Sequence, residues 1–361
     1  MTGKIDRQTA FSGTGDVRQG HEFDIGALEA YLVEQIDGFC GPLSVEQFKG
    51  GQSNPTYKLS SPSGSYVLRR KPPGKLLPSA HAVEREYRVI SALHPIGFPV
   101  ARPYLLCEDD SVIGTAFYVM GFADGRVFWN PYVPDVEETE RAGIYDAMNQ
   151  TIARLHMVDV AAVELADFGK PHGYVARQVA RWSKQYQASE TEKIGEMDRL
   201  MDWLPDAAPR SDEVALVHGD FRLDNCIVAH DAPRILAVLD WELSTLGDPL
   251  ADFTYHLMQW MMPPSETGAG VGSLVEHLGT TPGLPALEDY VAAYCERTGR
   301  SGISNLDNYM AYNFFRLAAI FQGIVGRVRD GTAASPNAAA IANLVQPMSK
   351  VAWDFALKAG A

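Results

Sequence analysis

Apolar and polar positions change period several times along the chain, and the changes divide it into two unequal parts. Residues 1–22 are polar, rich in Gly, Thr and Asp, and read as a loose arm. Asp24 stands where an N-cap belongs, and Ile25, Leu28, Leu32, Val33 and Ile36 recur at helical spacing up to Gly38. From Val45 to Arg70 the texture becomes that of strands. Thr56–Ser60 and Ser65–Arg69 flank a Ser-Pro-Ser-Gly turn and predict a hairpin, which Lys71-Pro72-Pro73-Gly74 ends. A helix is expected from about Ala80 to Leu93, stopped by His94-Pro95, and Ala116–Met120 is the clearest strand after it. Gly121 and Gly125 then punctuate a crossing segment.

Beyond residue 125 the pattern is mainly helical. Ile144, Met148, Thr151, Ile152 and Leu155 share one face, as do Met197, Leu200, Met201 and Leu204. Short strand-like islands interrupt the helices at Val214–His218, Cys226–Ala229 and Ile235–Asp240. Asp248-Pro249 pairs an N-cap with proline at the first helical position and opens a helix to about Trp260. Leu306–Val328 is apolar nearly all round, as a buried core helix is. The layout is a small β-rich lobe, a Gly-marked hinge and a larger helical lobe: 1–40 an arm and helix, 41–123 the small lobe, 124–361 the large one.

The chain has 361 residues, 46% hydrophobic and 21% charged, which excludes a disordered or fibrous protein. Its formal net charge of −14 repels a phosphate backbone and argues against a nucleic-acid partner. Cys40, Cys107, Cys226 and Cys295 are far apart and form no CxxC pair, so neither a disulfide framework nor a zinc cluster is expected. No apolar run is long enough for a membrane span, and the first ten residues lack a signal-peptide core. A cytoplasmic protein without a membrane partner is the expectation.

The chemistry concentrates in Val217-His218-Gly219-Asp220-Phe221-Arg222-Leu223-Asp224-Asn225, followed by Asp240-Trp241-Glu242. An Asp, an Asn five residues on and a second Asp beyond a hairpin suit phosphoryl transfer to a hydroxyl. One carboxylate orients the acceptor and takes its proton, while an amide oxygen and the other carboxylate hold the metal bridging the nucleotide phosphates. In the small lobe, strand alternation places Val67 and Arg69 on one face and Tyr66 and Leu68 on the other. Glu86 lies on the apolar stripe of Val83, Tyr87, Ile90 and Leu93, and a buried carboxylate requires a partner. Glu84, about 200° away around the helix, faces solvent. No GK[ST] or GxGxxG sequence occurs, so P-loop and dinucleotide-fold readings lack local support.

His218-Gly219-Asp220 with Asn225, Asp240-Trp241 and Gly247-Asp248-Pro249-Leu250-Ala251-Asp252 resembles the aminoglycoside phosphotransferase and choline kinase-like family. Gly50–Tyr57 and Tyr66–Gly74 extend the likeness. They bring it nearest to the family's bacterial small-molecule kinases and to the kinase-like domain fused to acyl-CoA dehydrogenases. The resemblance implies an α+β, bilobal protein-kinase-like fold and use of ATP and Mg²⁺. It makes Asp220 the base, Arg222 a neutraliser of the transferring group, and Asn225 and Asp240 the metal ligands. Arg69, paired with Glu86, would reach the α and β phosphates, although an arginine fork is not equivalent to the commoner lysine. Gly51, Gln52, Ser53 and Asn54 would belong to the loop covering the phosphates, and Met120 and Phe122 would border the adenine. Asp248 and Asp252 look like the pair bracing the catalytic loop, and neither His156 nor His218 is assigned a metal. The acceptor stays open between an aminoglycoside-like polyamine and a hydroxyacyl compound, which Arg126, Arg177 and Arg181 could meet. A nucleotide-binding pseudokinase is the alternative. A protein kinase is disfavoured by the short stretch between Asp240 and Asp248.

Overall fold

The computed structural model describes residues 6–50, 54–73, 81–264, 272–331 and 341–361. Gly51, Gln52 and Ser53, and the expected helix start at Ala80, lie outside them. The fold is α+β and bilobal. A six-stranded antiparallel sheet of order β1-β2-β3-β4-β6-β5 forms the smaller lobe. Its strands are β1 (Thr14–Gly15), β2 (Ser44–Phe48), β3 (Thr56–Ser61), β4 (Gly64–Arg70), β5 (Pro103–Cys107) and β6 (Phe117–Gly121). The β3–β4 hairpin pairs Thr56 with Arg69 and Leu59 with Tyr66, one residue longer at each inner end than the sequence pattern suggests.

The pleat sorts the sheet's side chains into two cores. On the outer face Leu28, Leu32 and Ile36 pack over Tyr57, Leu59, Tyr66, Leu68, Phe117 and Val119; the first two come from α2 (Ile25–Gln35) and Ile36 from its C-cap. Asp24 caps that helix by accepting from the Ala27 N–H at 2.9 Å. On the inner face Val67, Tyr118 and Met120 join Val83, Val89, Ile90 and Leu93 of α3 (Val83–Leu93). This inner core runs without a break into the larger lobe.

The larger lobe carries α4 (Glu138–His156), α5 (Tyr174–Ser189), α6 (Gly195–Ala207), α7 (Pro249–Leu257), α8 (Leu287–Thr298), α9 (Leu306–Arg329) and α10 (Ala342–Lys358). Two small antiparallel ribbons lie on the cleft side: β7 (Ala215–Val217) with β10 (Thr245–Gly247), and β8 (Cys226–Val228) with β9 (Ile235–Val238). The α9 helix is buried along most of its length, as its apolar character requires, but Asn313, Arg316 and Gln322 are buried with it. All four cysteines are free. Among the described residues no helix is long and apolar enough to cross a membrane.

Two features depart from the sequence reading. Residues 7–15 are not a loose arm: they form α1 (Arg7–Phe11) and β1, the latter pairing with Phe48 and Gln47 of β2. The crossing segment is also anchored. Arg126 exchanges two backbone hydrogen bonds with Val228, at 2.7 and 2.9 Å. A Cβ on Gly125 would lie 2.5 Å from the Val228 carbonyl oxygen, so glycine there serves close approach.

Candidate active site

Strand β7 ends at Val217 and delivers His218, Gly219 and Asp220 into the cleft. Gly219 adopts a φ of +84°, and a Cβ there would meet the Leu243 carbonyl oxygen at 2.9 Å; only glycine fits this turn. Asp252 of α7 braces the turn from beneath. Its Oδ2 accepts from the His218 N–H at 2.7 Å and its Oδ1 from the Gly219 N–H at 2.8 Å. His156 Nε2 lies 3.2 Å from the same carboxylate. Burial raises the Asp252 carboxyl, but His156 and the loop donors outweigh it and hold the group below its ordinary range. Arg316 of α9 donates to the Gly219 carbonyl at 2.8 Å, fixing the turn from a second side. His218 Nε2 faces the Leu239 carbonyl at 2.8 Å, so Nε2 carries the proton and Nδ1 accepts from the Asp220 N–H at 3.2 Å. Asp248 does not reach this turn: it caps α7 through the Leu250 N–H and accepts from the Tyr309 hydroxyl at 2.7 Å.

Asp220 is held by three side chains. Tyr255 donates to Oδ1 at 2.8 Å, Asn225 Nδ2 reaches Oδ2 at 3.3 Å, and the Arg222 fork lies 3.1 Å from Oδ1 and 3.4 Å from Oδ2. Burial opposes the charge on Arg222, yet Asp220 and Asp224 outweigh it and raise its pKa. Because Asn225 Nδ2 also donates to the Asp220 carbonyl at 2.9 Å, the amide orientation is fixed, and Oδ1 has no donor among the described residues.

Asp240 follows β9 in the left-handed region, with φ +65° and ψ 59°, and the Leu239 N–H donates to the Asn225 carbonyl at 2.8 Å. The second of these ties the chain just before Asp240 to the backbone of Asn225. Arg69 crosses from β4 to meet the Asp240 carboxylate, with Nη2 2.6 Å from Oδ1. Arg69 Nε lies 2.8 Å from Glu86 Oε2, an ion pair without the alignment of a hydrogen bond. Glu86 is 1% exposed and also accepts from Asn54 Nδ2 at 2.8 Å and from the Tyr118 hydroxyl at 3.1 Å. Burial raises the Glu86 carboxyl above its ordinary range while Arg69 pulls it back. Glu84 is half-buried against Lys71 at 2.9 Å, on the other side of the helix from Glu86.

The cleft thus brings Asp220, Arg222, Asn225, Asp240, Arg69 and Glu86 into one network. The Asn54 side chain turns inward to Glu86, and its Oδ1 meets His81 Nδ1 at 2.9 Å. Met120 is buried within β6, whereas Phe122 lies just past that strand, half-buried under the Lys58 ammonium at 4.8 Å. Arg126 is engaged by Glu140, Arg177 by the Lys170 carbonyl and Arg181 by the Trp182 ring. Sequence reasoning missed Tyr255, Arg316 and Tyr118. Tyr255 was signalled by its i+3 spacing from Asp252, and Arg316 by being a charge on an otherwise apolar helix.

The family model of the phosphotransferase enzyme family matches residues 44–303 of this chain. The chain belongs to that family. Acyl-CoA dehydrogenase family member 10 of Mus musculus is 45% identical over 348 residues, covering 96% of this chain and 32% of that protein. Family member 11 of Homo sapiens is 40% identical over 348 residues, covering 95% and 44%. The chain therefore spans less than half the length of these curated relatives. Among solved structures, a candidate aminoglycoside phosphotransferase from Ralstonia eutropha is 49% identical with a TM-score of 0.83, covering 93% of this chain and 99% of that one. Spectinomycin phosphotransferase, solved with ADP and spectinomycin, is similar in fold at 12% identity and a TM-score of 0.61, covering 94% and 99%.

Proposed function

We propose that this chain is an ATP- and Mg²⁺-dependent small-molecule kinase that transfers the γ-phosphoryl group to a substrate hydroxyl. The observation that carries the reading is the convergence of Asp220, Asn225 and Asp240 on one side of the cleft with Arg69 opposite. Asp220 Oδ2, whose contacts are the longer ones, takes the acceptor proton, and Tyr255 and Arg222 fix the carboxylate that does so. Arg69, locked by Glu86 and paired with Asp240, stands where its fork would meet the α and β phosphates once a nucleotide is bound. Asn225 Oδ1 and the Asp240 carboxylate are hard oxygens suited to Mg²⁺. Among the described residues no three His, Cys, Asp or Glu side chains form a full cage, and a metal completed by phosphate and water needs none. Mg²⁺ held there would neutralise charge on the transferring phosphates. Nucleotide use is supported by the ADP in the solved spectinomycin phosphotransferase complex.

For the acceptor, the naming of the curated relatives as acyl-CoA dehydrogenase family members favours a hydroxyacyl compound over an aminoglycoside. The test is ADP release from Mg·ATP against panels of hydroxyacyl compounds and aminoglycosides. Asp220→Asn should keep nucleotide binding and lower turnover by about 10²–10⁴. No ADP release with any acceptor, or unchanged turnover in Asp220→Asn, would refute the reading.

A further inference from the structure

We propose that the N-terminal arm is part of the catalytic machinery, and that Arg7 is a positioning residue acting on Asp220 through Asp224 and Arg222. This rests on the kinase reading above. Arg7 Nη2 lies 3.5 Å from Asp224 Oδ2, and Arg222 Nη2 lies 3.5 Å from the same oxygen. Arg222 in turn forks over Asp220, 3.1 Å from Oδ1. The Arg7 and Asp224 side chains are 11% and 6% exposed, so the contact is largely dry. Burial pushes the Asp224 carboxyl up, and the two guanidiniums oppose that push. With Arg7 removed, Arg222 is the cation left on Asp224 among the described residues and has less hold on Asp220.

The arm itself bridges the cleft. Gln8 Nε2 donates to the Val127 carbonyl at 2.8 Å, and Gln8 Oε1 accepts from the Trp129 N–H at 3.0 Å. The Phe11 ring lies 5.1 Å from that of Trp129. The Lys49 N–H donates to the Gly13 carbonyl at 3.1 Å, and a Cβ on Gly50 would meet both Trp129 and the Phe11 carbonyl. One short segment therefore touches the strand leading into the glycine loop, the segment after the crossing and the catalytic turn. Five residues of helix are not stable alone in water, and α1 buries no side chain fully, so its order comes from these contacts. If the arm's docking fixes the catalytic turn, the turn must equally fix the arm.

The test uses the full chain with Arg7→Ala, Arg7→Lys and Asp224→Asn. Arg7→Ala should lower ADP formation from Mg·ATP by about tenfold or more, as small misplacements near the reacting atoms do. KM for ATP and Mg·ADP affinity should stay within about twofold, and Arg7→Lys should recover most of the rate. In the reverse direction, Asp224→Asn should speed amide exchange across residues 6–15 by about tenfold, read by mass spectrometry. Wild-type turnover in Arg7→Ala, or unchanged arm exchange in Asp224→Asn, overturns the proposal. A wild-type chain that forms no ADP refutes the kinase reading instead, and the arm's coupling to the catalytic turn is then decided by the exchange result alone.

Discussion

Glu86→Ala offers the sharpest probe of the buried pair that holds Arg69 in place for its contact with Asp240. The substitution leaves the Arg69 guanidinium without its partner at 2.8 Å in a site where the Glu86 side chain is 1% exposed. It also strips the acceptor from Asn54 Nδ2 and the Tyr118 hydroxyl. Breaking a buried ion pair costs about 3–5 kcal/mol, and each orphaned donor adds about 1 kcal/mol where water cannot reach it. Arg69 still keeps Asp240 at 2.6 Å and Glu242 at 3.8 Å, and the Asp240 side chain is 32% exposed. Those residual partners and the nearby solvent place the total at about 3–4 kcal/mol. Urea unfolding at pH 7 measures it. A double-mutant cycle on Arg69 and Glu86 should return a coupling of at least about 1 kcal/mol, and the same cycle on Arg69 and Glu84 almost none. Glu84 has its own partner in Lys71 at 2.9 Å. Calorimetric titration with Mg·ADP should show Glu86→Ala and Arg69→Ala weakened alike and Glu84→Ala close to wild type. A coupling near zero for Glu86 with a large one for Glu84 would refute the network.

Two other outcomes follow from the same geometry. Asp240→Ala should abolish the Mg²⁺-dependent part of nucleotide affinity, since it leaves Asn225 as the single remaining oxygen ligand; unchanged Mg·ADP binding by calorimetry would sink the metal assignment. Burial holds His256 neutral and depresses its pKa from 6.5 to about 4, so the folded chain takes this proton later than the unfolded one. Its contribution is whole above pH 6.5 and lost as pH falls towards 4, about 3 kcal/mol in all; the stability of His256→Gln, followed by urea unfolding, should fall less steeply over that range.

The architecture was legible because its signals are local. Strand alternation correctly separated Arg69 from Leu68, and helical phase separated Glu86 from Glu84, since both periods follow from backbone geometry. The Asp248-Pro249 cap likewise announced α7. The role of Asp248 was not legible, because a cap and a brace look the same until the distance to the catalytic turn is known. The arm was misread for a related reason. Its residues are polar, and polarity alone does not distinguish a solvated tail from one ordered by Gln8, Phe11 and Arg7 across more than a hundred residues of chain. Asn54 belongs by resemblance to the loop covering the phosphates, and its side-chain amide donates to Glu86, a contact no local pattern announces.

The backbone ribbon joining Arg126 to Val228 limits where the chain can flex between the two lobes. Gly125 is wedged against the Val228 carbonyl and cannot act as a swivel. The Phe122 N–H still donates to the Ser65 carbonyl of β4 at 3.3 Å, so residues 123 and 124 are the stretch left between the small-lobe sheet and that ribbon. A hinge needs only a few residues, so opening of the cleft would turn on this short stretch, while Gly125 and Arg126 travel with β8 as part of the larger lobe.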